Sequence, residues 1–216
     1  MSDAWRGNHP WAVVYDFIVE RSAVGGLLWK AGIGSSLGKL YAAAGEIGAL
    51  PDGAAVLDVP CGGGVALRGL RPGQDVRYVA GDIAPAMLER TRREAEKRGV
   101  ADQVELTEAD VGALPFADGT FDLVVAFTSL HCFPDPARAV KELARVSKPG
   151  ARITGSAFLT DSGLRFVPMR HIGRAAGLLG PSGTASDLRR WLAWAGYADA
   201  TLDRDGGLTY FTARRG

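Results

Sequence analysis

Three acids and two glycines stand where short apolar runs of this chain end. Ala54-Ala55-Val56-Leu57-Asp58-Val59 leads into Pro60-Cys61-Gly62-Gly63-Gly64, a second run ends in Gly81-Asp82-Ile83, and a third in Glu108-Ala109-Asp110-Val111. Glycines at such a turn let a ligand approach the backbone and let the next helix start tightly. An acid at the position of Asp82 can accept hydrogen bonds from both hydroxyls of a ribose. Asp58, inside its run, can meet a cationic amino group directly or through water. Asp110, with Val111 beside it, can accept from the amine of an adenine, and Ile83 and Met87 are placed to touch adenine or ribose. Each has a plainer reading: turn glycines, a buried acid satisfied by backbone amides, a helix cap at Asp82, a core methionine.

Gly62, Gly64 and Asp82 alone suit either a nicotinamide dinucleotide or S-adenosylmethionine. The dinucleotide fingerprint needs a third glycine, and that position, counted from Gly62 and Gly64, is Leu67. Asp58 would find an ammonium on a methionine moiety and none on a dinucleotide. Both points favour S-adenosylmethionine over a nicotinamide oxidoreductase.

His131 follows a fourth apolar run and is the candidate general base, able to take a proton from an attacking hydroxyl or amine near neutral pH. An orienting or structural histidine is the alternative. His171 and the arginines Arg165, Arg170 and Arg174 could face an acidic substrate group or simply solvent. Cys61 follows a proline, as a catalytic thiol can, but lies in the glycine turn rather than after the fourth run. The 3 histidines and 2 cysteines form no ligand pattern, so no metal is expected.

These residues need a scaffold. The first run reads as a buried strand and the second, Val104 to Thr107, Phe121 to Phe127 and Arg152 to Phe158 as further strands, separated by helices near Val65 to Leu70, over Pro85 to Arg98, and from Asp135-Pro136 to about Ser147. Strand–helix alternation implies a parallel sheet covered on both faces. Gly99 stands at a helix C-terminus, and Glu89–Arg93 and Glu94–Arg98 are spaced to pair. Leu37 to Leu50 reads as one helix. Residues 159–183 read as an excursion from the sheet. Thr184 to Gly196 is a helix, and Asp199 to Leu202 with Leu208 to Ala213 flank Asp205-Gly206-Gly207 as a hairpin. The expectation is a Rossmann-like seven-stranded, mostly parallel sheet ending in an antiparallel hairpin. It is one domain: an N-terminal helical lid (1–50), a cofactor core (51–158), a substrate-side insertion (159–183), and a C-terminal helix and hairpin (184–216).

The 216 residues suffice for a full core, and 47% hydrophobic with 23% charged residues is globular composition. A net charge of +1 and the lack of a basic tract give no reason to expect nucleic acid. Lys30, Lys39 and Glu46 interrupt the stretch Ser22 to Ala49, so no membrane span is expected. Two cysteines and no leader-like start suit the cytoplasm. The excursion could equally be a homodimer contact.

From Ala54 to Phe158 the chain resembles the small-molecule class I methyltransferases, the branch that includes the ubiquinone and menaquinone C-methyltransferases. The resemblance rests on Leu57 to Gly64, on Gly81-Asp82-Ile83-Ala84-Pro85-Ala86-Met87-Leu88, on Leu114-Pro115-Phe116-Ala117-Asp118-Gly119-Thr120-Phe121-Asp122, and on Phe127 to Pro136. It implies methyl transfer from S-adenosylmethionine to a small-molecule acceptor, with S-adenosylhomocysteine as product. It implies a cofactor site at Asp58, Pro60, Cys61, Gly62, Gly64, Asp82, Ile83, Met87, Asp110, Val111 and Phe127. Tyr15 and Trp11 belong either to a lid over that site or to helix packing. The apolar residues of the lids, among them Trp5, Phe17, Phe166 and Met169, favour a partly apolar acceptor. One position departs from the family, which usually has glycine at Pro60; proline fixes φ and has no N–H. A catalytically silent S-adenosylmethionine-binding protein is the alternative of another class.

Overall fold

A computed structural model of the chain describes residues 24–216; His9, Trp5, Trp11, Tyr15 and Phe17 lie outside the described residues. Five strands run parallel: β1 (Ala54–Asp58), β2 (Val76–Asp82), β3 (Val104–Glu108), β4 (Phe121–Ala126) and β5 (Ser147–Phe158). The hairpin of β6 (Tyr197–Asp205) and β7 (Leu208–Arg215) adds antiparallel to β5, giving the order β3-β2-β1-β4-β5-β7-β6. This is the seven-stranded, mostly parallel sheet that the alternation of runs predicts.

Among the described residues, six α-helices accompany the sheet: α1 (Val24–Gly32), α2 (Leu37–Ala44), α3 (Pro85–Arg98), α4 (Pro136–Val146), α5 (Val167–Ala175) and α6 (Ala185–Trp194). Successive strand side chains point to opposite faces, so each buried strand feeds two cores. Leu57, Val79, Val124 and Ile153 meet Val140 and Leu143 of α4 and Leu188 and Leu192 of α6. Val56, Tyr78, Leu123 and Val125 meet Trp29, Leu40, Ile47 and Ala95. All of β1 is buried, as a strand covered on both faces must be. Each such Leu or Val stabilises the fold by roughly 1.5–3 kcal/mol.

Local signals are met closely. Pro85 opens α3 and Gly99 closes it at φ 68°. Asp135 caps α4 by accepting from Arg138 N–H, and Thr184 with Asp187 forms a capping box on α6. Arg93 and Arg98 pair with Glu89 and Glu94.

Two boundaries differ from the sequence reading. The helix expected over Leu37 to Leu50 stops at Ala44 and resumes as a 3-10 turn, Ile47–Ala49. Another 3-10 turn, Val65–Gly69, crosses it so closely that a Cβ on Gly69 would stand 1.8 Å from the Ala44 carbonyl oxygen. Lys148-Pro149-Gly150 ends α4 but lies within β5, where the register with β4 shifts between Phe121 and Leu123.

The hairpin tip reaches the opposite end of the chain. Asp205 accepts from Ser35 Oγ and Ser36 N–H, Gly207 N–H donates to Ile33 O at 2.7 Å, and Lys39 pairs with Asp203. Among the described residues no helix is long and apolar enough to cross a membrane.

β1 lies between β2 and β4. The chain builds outward through β2 and β3, then returns to the other side of β1 to build β4 and β5. That reversal opens a crevice at the carboxyl ends of β1 and β4, where sheets of this kind bind ligands.

Candidate functional site at the switch point

The glycine turn leaves β1 at the crevice. Val59–Pro60 is a cis peptide bond, and the turn's positive φ values fall on Gly62 (52°) and Gly64 (84°). Pro60 is therefore not asked for the left-handed conformation that its ring forbids. Neighbouring strands hold the turn: Val59 N–H donates to Val125 O and Cys61 N–H to Gly81 O. A Cβ on Gly62 would meet nothing within 4 Å, so the backbone there is open to a ligand.

Asp82 ends β2 beside this turn and is buried. Its two carboxylate oxygens accept from Gly62 N–H and Ala84 N–H, each at 3.0 Å. These bonds orient the Asp82 carboxylate at the end of β2. The α3 residue Thr91, fully buried, donates its hydroxyl to Gly62 O at 2.8 Å. The turn is thus fastened at Gly62 from both β2 and α3.

Asp58 is 2% exposed. Backbone amides do not satisfy its carboxylate; its partner is the Tyr78 hydroxyl, which donates to Oδ2 at 2.8 Å. Burial pushes the Asp58 carboxyl up to about 7; the Tyr78 hydrogen bond opposes the rise and nearby Asp82 adds to it. Among the described residues no cation pairs with it. Burial first, then Asp82 and Asp58, raise the Cys61 thiol well above its ordinary range. Cys61 is thus a neutral member of the turn and no nucleophile.

The other cofactor candidates sit around these. Ala109 N–H donates to Asp82 O, which brings the turn after β3 to the end of β2. Asp110 Oδ1 accepts from Gly112 N–H at 2.9 Å, and Val111 is buried. Met87 packs with Ala84 in a small cluster apart from both main cores, and Ile83 is buried next to Asp82. Phe127 packs into the core that holds Tyr78. Tyr15 lies outside the described residues.

His131, the candidate base, has its Nδ1 occupied as an acceptor. It lies buried in the 3-10 turn Leu130–Cys132, and its Nδ1 accepts from Phe158 N–H at 3.0 Å. Burial lowers its pKa to about 4. With Nδ1 committed as acceptor, the hydrogen of the neutral ring sits on Nε2. That arrangement provides a hydrogen-bond donor; the lone pair a general base would need is already engaged.

In the excursion, Phe166, Met169 and Leu179 pack into the core beside Phe158. Leu164 is 89% exposed. Arg165 stacks on Phe166, while Arg170 and Arg174 reach only the nearby carbonyls of Gly163 and Pro181, and His171 is exposed. The structure does not gather these four basic residues at the glycine turn.

Sequence reasoning passed over Tyr78 and Thr91. Parallel pairing sets Tyr78 opposite Val56 and Ala80 opposite Asp58, so Tyr78 and Asp58 share a sheet face. Thr91 looks like an ordinary helix residue until α3 is docked under the turn. Strand register and helix docking are long-range facts, invisible in a local pattern.

The sheet order and the crossovers define a Rossmann-like fold. Residues 57–154 match the family model of a methyltransferase domain. The chain is 43% identical over 101 residues to a demethylmenaquinone methyltransferase of Thermus thermophilus, covering 45% of this chain and 44% of that protein. It is 36% identical over 104 residues to a 27-O-demethylrifamycin SV methyltransferase of Amycolatopsis mediterranei, covering 48% and 38%. The matches thus span less than half the length of either relative. A putative methyltransferase from Bacillus halodurans shares the fold with a TM-score of 0.66 at 22% identity, over 81% of this chain and 98% of that one. The match to the methyltransferase-domain model over residues 57–154 agrees with the resemblance drawn from the motifs.

Proposed function

We propose that the protein is an enzyme that transfers a methyl group from S-adenosylmethionine to a small, partly apolar acceptor. The observation that carries this reading is the pair of acids at the switch point: Asp82 held by Gly62 and Ala84, and Asp58 buried with no cation beside it among the described residues. Ribose hydroxyls suit the first and an α-ammonium suits the second, and one cofactor carries both. Leu67, where a dinucleotide site needs glycine, is fully buried and speaks against a nicotinamide enzyme.

When bound, S-adenosylmethionine supplies an activated methyl, passed by in-line displacement to leave S-adenosylhomocysteine. The chain itself aligns and encloses. Asp82 and Asp58 fix the ribose and methionine ends, Asp110 with Val111 the adenine, and Ile83 and Met87 the apolar side. His131 offers its Nε2–H to the acceptor and helps orient it. Residues 24–50 and 159–183 flank the core of residues 51–158. The names of the two relatives support a small molecule as acceptor.

Titration calorimetry with S-adenosylhomocysteine and NAD, on the wild type and Asp82→Ala, tests the reading. The expected result is S-adenosylhomocysteine binding alone, weakened about tenfold or more in the variant, since hydrogen bonds to a charged group contribute roughly 1.5–3 kcal/mol each. NAD binding would overturn it. Methyl transfer to any member of a small-molecule panel separates an enzyme from a silent binder.

A further inference from the structure

The cofactor reading assigns Asp58 to an ammonium group, but Asp58 does not stand alone. It ends β1, 2% exposed, and its carboxylate has one hydrogen-bond partner among the described residues, the hydroxyl of fully buried Tyr78. The titratable groups around it are Tyr78 and Asp82 from β2 and Cys61 from the glycine turn. Its other neighbour, β4, brings apolar Val125 against it. Among the described residues, two acids, a thiol and a phenol surround the spot, and no base. A buried carboxylate without a cation is costly, whereas a neutral carboxylic acid bonded to a tyrosine is not.

We propose that Tyr78 is a positioning residue for the cofactor: its hydroxyl holds the Asp58 carboxyl at the end of β1, and the buried pair receives the cofactor's ammonium in exchange for the carboxyl's proton. The exchange balances. The neutral acid and the incoming ammonium give a carboxylate–ammonium pair, and one proton leaves to solvent. The Tyr78 hydroxyl donates throughout, because burial and Asp58 raise its own pKa well above the usual range. Its bond favours the carboxylate and so eases the exchange near neutral pH, Asp58 itself titrating at about 7.

The proposal rests on the S-adenosylmethionine reading, and one experiment distinguishes the two. S-adenosylhomocysteine, which carries the same ammonium, is titrated calorimetrically into the wild type from pH 5.5 to 8.5, in two buffers of different ionisation enthalpy. Affinity should climb up to tenfold per pH unit on the acid side and level off above pH 7, with release of up to one proton. In Tyr78→Phe the same curve should move about one unit to higher pH, a loss of about fivefold at pH 7 that approaches tenfold at lower pH and is recovered at pH 8.5. In Asp58→Asn it should be flat. A pH-independent wild-type affinity with no proton release would overturn the exchange. Identical curves for wild type and Tyr78→Phe, or a loss in Tyr78→Phe equal at every pH, would overturn the role of Tyr78. No binding by the wild type at any pH would instead sink the cofactor reading. The proton count needs only the wild type, so it stands even if a variant folds poorly.

Discussion

Replacing Asp58 with asparagine should make the protein more stable, and more so the higher the pH. The folded carboxyl titrates at about 7 against an ordinary 3.8. An acid raised on folding stabilises the fold fully below its unfolded pKa, and that contribution is lost as pH climbs through the folded pKa. Over the window from 3.8 to about 7 the loss approaches about 4 kcal/mol at 1.36 kcal/mol per unit. Asparagine has the shape of the neutral acid and still accepts from Tyr78, without a charge to desolvate. Asp58→Asn should therefore match the wild type at pH 4 and exceed it by about 2–4 kcal/mol at pH 8. Urea denaturation at pH 4, 6 and 8 measures this. A gain that is the same at all three values, or a loss at pH 8, would refute the buried-charge argument. The variant should also lose affinity for S-adenosylhomocysteine, trading ligand recognition for stability.

The remaining predictions concern the same molecule. His131, lowered to about 4 from 6.5, has the opposite slope: its folded form resists protonation, so stability falls as pH drops from 6.5 towards 4, by roughly 3 kcal/mol. In the wild type this nearly cancels the Asp58 slope; in Asp58→Asn it should stand exposed, and His131→Asn in that background should flatten it, as read by urea denaturation. Gly69→Ala sets a Cβ 1.8 Å from the Ala44 carbonyl oxygen and should cost roughly 1–3 kcal/mol; a thermal midpoint equal to wild type would show that the crossing of α2 is looser than described. Thr91→Val removes the donor to Gly62 O and should weaken S-adenosylhomocysteine several-fold, about 1 kcal/mol. Unchanged affinity by calorimetry would mean that the turn needs only Asp82.

Much of the fold was legible because its signals are local. Four of the five parallel strands announce themselves as apolar runs, α3 by its proline and glycine ends, and the hairpin by Gly206-Gly207; β3, with no buried residue, gives the weakest signal. The glycine turn, Asp58 and Asp82 were legible for the same reason: each sits where a run ends. What the sequence hid depends on partners far along the chain. The helix from Leu37 stops at Ala44 because Gly69 lies across it. His131 was expected to be a base from its position alone, and the Phe158 amide that takes its Nδ1 arrives from a strand 27 residues on. Tyr78 looked like one more core aromatic until register set it on the face of Asp58.

The seal between Ile33, Ser35 and Ser36 and the hairpin tip joins residues about 170 positions apart. It sets an order of events during synthesis. While the ribosome delivers the chain from its N-terminus, α1 and α2 emerge first, carrying the apolar side chains of Trp29 and Leu40. Their docking site on β1, β2 and β4 follows, but the clasp cannot close until β6 and β7 have been made. A nascent chain therefore keeps these helices loosely held for most of translation, and that interval is when its apolar surface is open to chaperones and to aggregation.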